Sequence, residues 1–268
     1  MIGEPRIHHE VTDSTNERAR ELASEGAAHG TLVTAGEQIA GRGRQGRSWT
    51  AAPGEALLMS VIVRDLEPRH ALLPLMAALA VCEAAEAVTA PGTGAGAGGA
   101  GAGGADGGGE AGGRGAGGGG AGGGEAGGGP VHCEIKWPND VWVDRRKLSG
   151  ILVEARPAAG WAIVGIGLNT GVREFPEDLR ETATTLDLPT PEVALPPLLA
   201  ALDRWLIADQ ADILTAWRAR DALAGSPVRW QDGEGTARGV DDTGSLLVET
   251  PSGEIVALGA GEVHLQRD

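Results

Sequence analysis

Blocks of apolar and polar residues predict both helices and strands over residues 1–222. Residues 31–34 and 57–63 are short, apolar and rich in β-branched side chains, which is typical of strands. Residues 70–88 form a longer apolar run with Pro74 near its start, where a helix tolerates proline. We therefore predict two strands followed by one long helix in this part of the chain.

The second half of this segment predicts further strands and then helix. Residues 134–143 and 147–154 read as two strands joined by a turn at residues 144–145, and residues 161–168 as another strand. Residues 192–223 have mostly helical spacing. Hairpins on one sheet with helices packed against it make an α+β fold with a mixed or antiparallel sheet.

The pattern changes after Gly225. Short strands are predicted around Val228, around Ala237 and at residues 246–248 and 255–258, with turn residues between them. This spacing suits a small SH3-like β-barrel. We expect a first domain at residues 1–222 and a second at residues 223–268.

A glycine tract interrupts the first domain. Residues 91–130 contain 24 glycines in 40 residues, together with scattered alanines. Such a composition buries too little apolar surface to offset its ordering entropy, so we predict a disordered insertion.

Charge and cysteine content restrict the partners and the compartment. The net charge of −15 argues against a nucleic-acid or anionic-membrane partner, because both favour a basic face. Cys82 and Cys133 make no spacing motif, which favours a reduced, cytoplasmic location. The first residues lack a signal-peptide pattern. The longest apolar stretch, residues 71–82, is shorter than the roughly 18 residues expected of a membrane span.

Residues 41–49, Gly-Arg-Gly-Arg-Gln-Gly-Arg-Ser-Trp, are the first segment with candidate chemistry. They match the G-x-G-x-x-G pattern, but a dinucleotide-binding turn would require a helix to begin at the third glycine. The residues that follow signal a turn instead. The remaining interpretations are an anion-binding loop, in which arginines grip phosphate or carboxylate, and a solvated surface loop.

Lysine and asparagine are rare and cluster in the other motifs. Lys136 and Lys147 are the only lysines, against twenty arginines, which favours sites that need a compact point charge, although chance is an alternative. Asn16, Asn139 and Asn169 are the only asparagines and fall in three separate motifs. Each could instead be a plain turn or cap residue.

Residues 14–17, Ser-Thr-Asn-Glu, have the form of a capping box that opens a helix. A helix N-terminus also presents free amide donors, which suit a polar or anionic ligand group. Cap and ligand site are compatible with each other.

Taken together, these motifs resemble the biotin–protein ligase family. DSTN (13–16), EQIAGRGRQGRSW (37–49), IKWPNDV (135–141), KLSGILVE (147–154) and GIGLNT (165–170) occur in the family's order. The resemblance covers nearly the whole chain apart from the glycine tract, and it includes a small C-terminal domain. DSTN begins at residue 13, so we expect a ligase without the N-terminal DNA-binding domain of some members.

The resemblance implies a two-step reaction. Biotin and ATP, with Mg²⁺ assisting, form biotinyl-5′-AMP and pyrophosphate. A lysine of the biotin carboxyl carrier domain of an acyl-CoA carboxylase, such as acetyl-CoA carboxylase, then takes the biotin and releases AMP. The resemblance does not decide whether the protein is a monomer or a homodimer.

The resemblance also implies the site residues. Lys147, Arg42 and Arg44 would be catalytic. The biotin-binding residues would be Ser14, Thr15, Asn16, Gln38, Gly41, Arg42, Gly43, Arg44, Lys147 and Gly150. The ATP- and adenylate-binding residues would be Arg44, Arg47, Trp49, Lys136, Asn139 and Asn169. No protein ligand is assigned to the metal.

Two alternatives stay open. A lipoate ligase has a related fold and the same adenylation logic, although the arginine–glycine loop and KWPND favour biotin. A non-catalytic binder of biotin or nucleic acid is the other. In that case the C-terminal barrel would be the binding module, and its acidic composition disfavours nucleic acid as the ligand.

Overall fold

The computed structural model describes residues 1–91, 130–259, 261 and 263–265. Residues 1–169 contribute a seven-stranded sheet with the order β1-β2-β3-β7-β6-β5-β4, in which β1 and β2 are parallel and the other neighbours antiparallel. Its strands are β1 Arg6–Thr12, β2 Leu32–Gln38, β3 Ala56–Arg64, β4 Glu134–Lys136, β5 Asp140–Val143, β6 Arg146–Arg156 and β7 Trp161–Asn169. The predicted α+β fold with a mixed sheet is confirmed.

Two strand predictions in this sheet were wrong in detail. Residues 134–143 form two strands because the chain bends at residues 137–139. β1 was not predicted, since this edge strand is largely exposed and its polar residues hide the alternation. The predicted turn at Asp144 and Arg145 is present, with φ of 51° and 58°.

The described part of the chain has four α-helices, which pack on the sheets: α1 Thr15–Ser24, α2 Leu73–Thr89, α3 Leu195–Ile207 and α4 Gln210–Arg218. α1 begins at the predicted place, but the capping box is not formed. The Ser14 hydroxyl makes no cap hydrogen bond, and Glu17 faces the guanidinium groups of Arg20 and Arg42 instead.

α2 is the central helix of the core. With the 3-10 turn that precedes it, it forms a segment of 22 residues, Pro68–Thr89, long and apolar enough for a membrane span. The expectation that the apolar stretch would be too short was therefore wrong. However, 67% of its most apolar window is buried inside the protein, where it packs against α3 and the sheet.

The tail forms a separate five-stranded sheet with the order β11-β10-β9-β8-β12 and antiparallel pairing throughout. β12 was not predicted, and the barrel closure stays a prediction. The Trp137 indole N–H donates to the carbonyl of Gly244 at 2.9 Å, which ties the two sheets together. The strands are β8 Pro227–Trp230, β9 Gly233–Val240, β10 Leu246–Glu249, β11 Ile255–Leu258 and β12 His264–Leu265.

The predicted disordered insertion falls mainly on residues 92–129, outside the described residues. The chain on either side of it is close together, because the Val131 N–H donates to Thr89 Oγ1 at 3.1 Å. Cys82 and Cys133 are free and buried, and burial raises the pKa of the Cys82 thiol well above its ordinary value.

Candidate functional site

A cavity of about 830 Å³ opens on one face of the seven-stranded sheet. The N-terminus of α1, the loop after β2, the β5–β6 hairpin and the end of β7 supply most of its wall. Elements far apart in sequence meet there because β3, β7, β6 and β5 are neighbours in the sheet.

The cavity brings together nearly all of the residues predicted from the sequence. Gly41 is the exception, since it lines an adjoining cavity of about 580 Å³ on the other side of the arginine–glycine loop. The predicted residues that line the main cavity are Ser14, Thr15, Asn16, Gln38, Arg42, Gly43, Arg44, Arg47, Trp49, Lys136, Asn139, Lys147, Gly150 and Asn169.

Polar side chains from α1, β2 and β3 are linked at one end of the cavity. The Thr15 backbone N–H donates to Gln38 Oε1 at 2.7 Å, and the Thr15 hydroxyl donates to the same oxygen at 3.1 Å. The side-chain carbonyl of Gln38 thus satisfies the N–H of the first helical residue, one of the free donors at the helix start. The Ser60 hydroxyl lies 2.8 Å from Thr15 Oγ1.

The Asn16 amide is engaged by protein groups on both sides. Its Oδ1 accepts from the Ser60 hydroxyl at 2.6 Å, and its Nδ2 donates to Glu154 Oε2 at 2.9 Å. Gly165 faces this amide, and a Cβ on Gly165 would collide with Asn16 Oδ1. Asn16 therefore acts as a fixed part of the cavity wall.

The arginine–glycine loop forms a small hairpin. The Trp49 N–H donates to the Gly41 carbonyl at 3.0 Å, and the Gly43 N–H donates to the Arg47 carbonyl at 2.6 Å. Only a three-residue 3-10 turn, Arg44–Gly46, lies inside it, and the backbone of Arg47 is extended. The dinucleotide-binding interpretation is wrong, because the helix that it requires is absent from this described loop.

Trp49 lies over two glycines of the sheet. Gly150 and Gly167 pair across β6 and β7, and a Cβ on Gly150 would be 2.9 Å from the indole. The same ring is 5.7 Å from Lys147 Nζ. Because neither glycine has a side chain, the cavity floor is flat enough for a ring system.

Lys147 is held at the cavity by an acidic partner. Its Nζ lies 2.8 Å from Asp140 Oδ1. Lys136 Nζ lies 5.5 Å from the Trp142 ring. Both lysines therefore line the cavity, as the rarity of lysine in this chain suggested.

Asn139 and Asn169 have structural hydrogen bonds. Asn139 Nδ2 donates to the Ile151 carbonyl at 2.8 Å, and Asn169 Nδ2 donates to the Thr184 carbonyl at 2.9 Å. The turn-residue interpretation thus describes part of their role, and each still lines the cavity.

The cavity differs in charge from the rest of the molecule. Six of its lining residues are lysine or arginine and three are acidic, whereas the chain has a net charge of −15. A cationic cavity in an acidic protein focuses a positive electrostatic potential, which attracts an anionic ligand. The basic residues are Arg42, Arg44, Arg47, Lys136, Arg145 and Lys147.

Several site residues were not identified from the sequence. Ser60 lies inside an apolar strand pattern, where nothing marks it, and Glu154 ends the KLSGILVE motif but was given no role. Asp140 is part of the KWPND motif, and its position between the two lysines was a usable signal. Gly261 accepts a hydrogen bond from the Arg44 guanidinium at 3.2 Å, a contact that no local pattern predicts.

Similar proteins share this architecture. The biotin–[acetyl-CoA-carboxylase] ligase of Mycobacterium tuberculosis is 32% identical over 277 residues, covering 95% of this chain and 87% of the relative. The bifunctional ligase/repressor BirA of Bacillus subtilis is 29% identical over 273 residues, covering 94% of this chain and 72% of the relative. The solved biotin protein ligase of Aquifex aeolicus in complex with biotin and ATP has 26% identity and a TM-score of 0.72, with 99% of this chain and 100% of that chain covered.

Two family models match the sequence and together span both sheets. The model of the biotin protein ligase C-terminal domain matches residues 225–265, which contain the five-stranded sheet. The model of the biotin/lipoate A/B protein ligase family matches residues 9–170, which contain the cavity-forming strands. The chain therefore belongs to the biotin/lipoate A/B protein ligase family.

Proposed function

We propose that this protein is an ATP-dependent biotin–protein ligase. The observation that carries the proposal is the cavity, where Lys147, the arginine loop and the polar wall around Thr15 converge. The similar ligases, one of them solved with biotin and ATP, support the same function. We further propose that residues 1–222 form the catalytic domain and residues 223–268 a C-terminal domain.

The first step joins two anions. The biotin carboxylate attacks the α-phosphorus of ATP, the bond to the β-phosphate breaks, and pyrophosphate leaves. Fixed cations stabilise the charge that develops on the α-phosphate. We assign this role to Lys147, which Asp140 holds at 2.8 Å, and to Arg42 and Arg44.

The two ends of the cavity suit the two substrates. The ureido group of biotin has two donors and one strong acceptor, which the hydroxyl and amide groups at the α1 end can match. We place biotin against Ser14, Thr15, Asn16, Gln38, Gly43 and Gly150. Gly41 faces the adjoining cavity, so we propose that it acts on biotin through the shape of the loop. We place the nucleotide near Arg44, Arg47, Trp49, Lys136, Asn139 and Asn169.

Mg²⁺ would be bound with ATP. Among the described residues there is no group of three or more His, Cys, Asp or Glu that could hold a metal ion. Mg²⁺ commonly takes its ligands from substrate phosphates, water and one or two carboxylates. Asp140 is the carboxylate of the site nearest to Lys147, and the ion would neutralise phosphate charge.

The second step transfers biotin to a protein. A lysine ε-amine of the carrier attacks the carbonyl of the mixed anhydride, and AMP leaves. We propose the biotin carboxyl carrier domain of an acyl-CoA carboxylase as this partner, in the cytoplasm. A homodimer through an edge strand of the large sheet is a further proposal, which light scattering would test.

Exchange of labelled pyrophosphate into ATP, run with biotin, with lipoate and with neither, tests the adenylation step. Exchange that depends on biotin alone is expected. Exchange driven by lipoate instead would assign the chain to lipoate ligation. No exchange with either acid would contradict the enzyme and favour a binding protein.

A further inference from the structure

Glu154 of β6 is the last residue of the KLSGILVE motif and has no role assigned so far. It contacts two groups of the candidate site. Its Oε2 accepts from Asn16 Nδ2 at 2.9 Å, and its Oε1 lies 3.9 Å from Arg42 Nη1. We propose that Glu154 is a positioning residue that orients the Asn16 amide and holds Arg42 beside it. This inference rests on the proposed function, since its consequence is tighter biotin binding.

The orientation of the Asn16 amide is fixed only by a partner that can accept but not donate, or donate but not accept. The oxygen and nitrogen of an amide have nearly the same shape, so hydrogen-bond partners decide which way it points. The Ser60 hydroxyl can donate or accept and therefore accommodates either orientation. A carboxylate only accepts, so Glu154 fixes the NH₂ group on its own side.

The space around Asn16 prevents the amide from moving away. Asn16 is only 4% exposed, and its Oδ1 touches the place where Gly165 would carry a Cβ. A second bond, from Asn16 Nδ2 to the Leu152 carbonyl, is long at 3.4 Å. The charge-assisted bond to Glu154 is thus the stronger constraint.

Arg42 is held by carboxylates from two elements. Its Nη1 lies 3.2 Å from Glu17 Oε2 of α1, besides the 3.9 Å to Glu154. The Arg42 guanidinium therefore lies at the edge of the polar wall. Glu154 links the amide wall and the arginine loop through one side chain.

Glu154→Gln keeps the size of the side chain but removes its charge and one acceptor oxygen. A glutamine has one acceptor and one donor end, whereas Asn16 Nδ2 and Arg42 are both donors, so one contact must fail. Glu154→Asp keeps the charge. Glu83→Gln is a matched control, because the Glu83 side chain is 30% exposed against 31% for Glu154. Like Glu154, Glu83 pairs with an arginine, Arg204, and accepts from a neutral N–H, that of Trp205.

The experiment measures the biotin Kd by calorimetry, the KM for ATP and the melting temperature for the full chain and each variant. For Glu154→Gln we expect a biotin Kd about tenfold weaker, the loss of roughly one charge-assisted hydrogen bond. The KM for ATP should change less than about twofold, Glu154→Asp should recover most of the affinity, and Glu83→Gln should bind biotin normally.

Two results would overturn the positioning role. One is an unchanged biotin Kd in Glu154→Gln. The other is a weaker Kd that Glu83→Gln reproduces with the same loss of melting temperature, which would indicate general destabilisation. A wild-type protein that binds no biotin would overturn both the role and the proposed function. Biotin binding without pyrophosphate exchange would contradict the enzyme alone.

Discussion

At the residue scale, lysine is confined to the cavity. The chain has two lysines and twenty arginines, and both lysines line the cavity. Arginine offers a planar fork that suits oxygen pairs, whereas lysine offers a compact charge on a flexible stem. The Lys147 ammonium lies between the Asp140 carboxylate and the Trp49 ring. A guanidinium in this place would be wider than the ammonium.

Lys147→Ala should abolish most adenylate formation while the fold survives. Loss of one fixed donor at a reacting centre costs on the order of 10²–10³ in rate. Lys147 is 34% exposed, so its removal leaves no large cavity. Pyrophosphate exchange and the melting temperature measure the two effects, and Lys147→Arg tests whether charge alone suffices. Normal turnover by Lys147→Ala would remove the central assignment.

Glu86 shows how a single carboxylate joins separate elements. It lies on α2, pairs with Arg220 after α4, and accepts from the Cys133 backbone N–H before β4. Burial alone would raise the pKa of the Glu86 carboxyl, but the hydrogen bonds and charge of Arg220 and the Cys133 N–H hold it below its ordinary value of 4.5.

Glu86→Gln should lower the free energy of unfolding by about 1–2 kcal/mol at neutral pH. A carboxyl whose folded pKa is lowered stabilises the fold above its unfolded pKa and loses that contribution as pH falls through the folded pKa. The difference from wild type should therefore shrink below pH 4.5 in urea unfolding curves. Glu21→Gln, at an exposed pair with Arg18, should cost less than about 0.5 kcal/mol. A pH-independent difference at Glu86 would contradict the ionic explanation.

At the element scale, the sequence predicted the elements that have strong periodicity. β3, β7 and α2 are long and buried, so their apolar pattern is clear. β1 and β12 lie at sheet edges, and their short or exposed patterns resemble loops. The capping box of α1 was wrong: the Ser14 hydroxyl makes no cap hydrogen bond, and Gln38, 23 residues away, accepts from the N–H of Thr15 at the helix start.

The sequence predicted which residues line the cavity, but not the contacts that hold them there. The motifs identified the residues that line the cavity, because rare residue types at family spacings are visible in one sequence. The contacts between them were not visible, since Ser60 and Gly261 reach the site through strand pairing and docking of the C-terminal sheet. Glu154 ends the KLSGILVE motif, but its contact with Asn16 joins residues 138 positions apart. Tertiary contacts of that kind leave no local pattern.

The arginine–glycine loop should become more resistant to trypsin when substrates bind. Arg42, Arg44 and Arg47 are all trypsin sites, and the loop that carries them closes through its own backbone bonds between Gly41 and Trp49. An anionic intermediate would engage the arginines and exclude water. Limited proteolysis with and without biotin and ATP, followed by mass spectrometry, measures cleavage at these bonds.

Cleavage at Arg229, which is on an exposed pair in the C-terminal sheet, is the internal reference for that experiment. We expect the substrates to slow loop cleavage while cleavage at the reference is unchanged. Equal loop cleavage in all conditions would mean that the loop does not close over the ligand.

At the scale of the whole molecule, the two sheets share one core and meet at the cavity. Apolar residues of both sheets belong to the same buried cluster. Trp137 donates to Gly244, and Arg44 donates to Gly261. The C-terminal sheet thus contacts both the KWPND bend and the arginine loop, so its position affects the shape of the cavity.

We expect that neither the fold nor the cavity requires the glycine tract. The Val131 N–H bonds to Thr89 Oγ1 at 3.1 Å, so the two flanks are already adjacent, and neither flank lines the cavity. Replacing the 38 residues 92–129 with a four-residue glycine–serine linker would shorten the closing loop and lower its entropic cost by about 1.5 kcal/mol.

We expect this deletion to raise the melting temperature by about 3–6 °C and to leave biotin-dependent pyrophosphate exchange within about twofold of wild type. Calorimetry and the exchange assay measure the two quantities, and a scrambled tract of the same length is the control. The scrambled variant should match wild type in both, because only length enters the closure entropy. A large loss of exchange on deletion, with the melting temperature raised, would show that the tract contributes to catalysis even though its flanks lie outside the cavity wall.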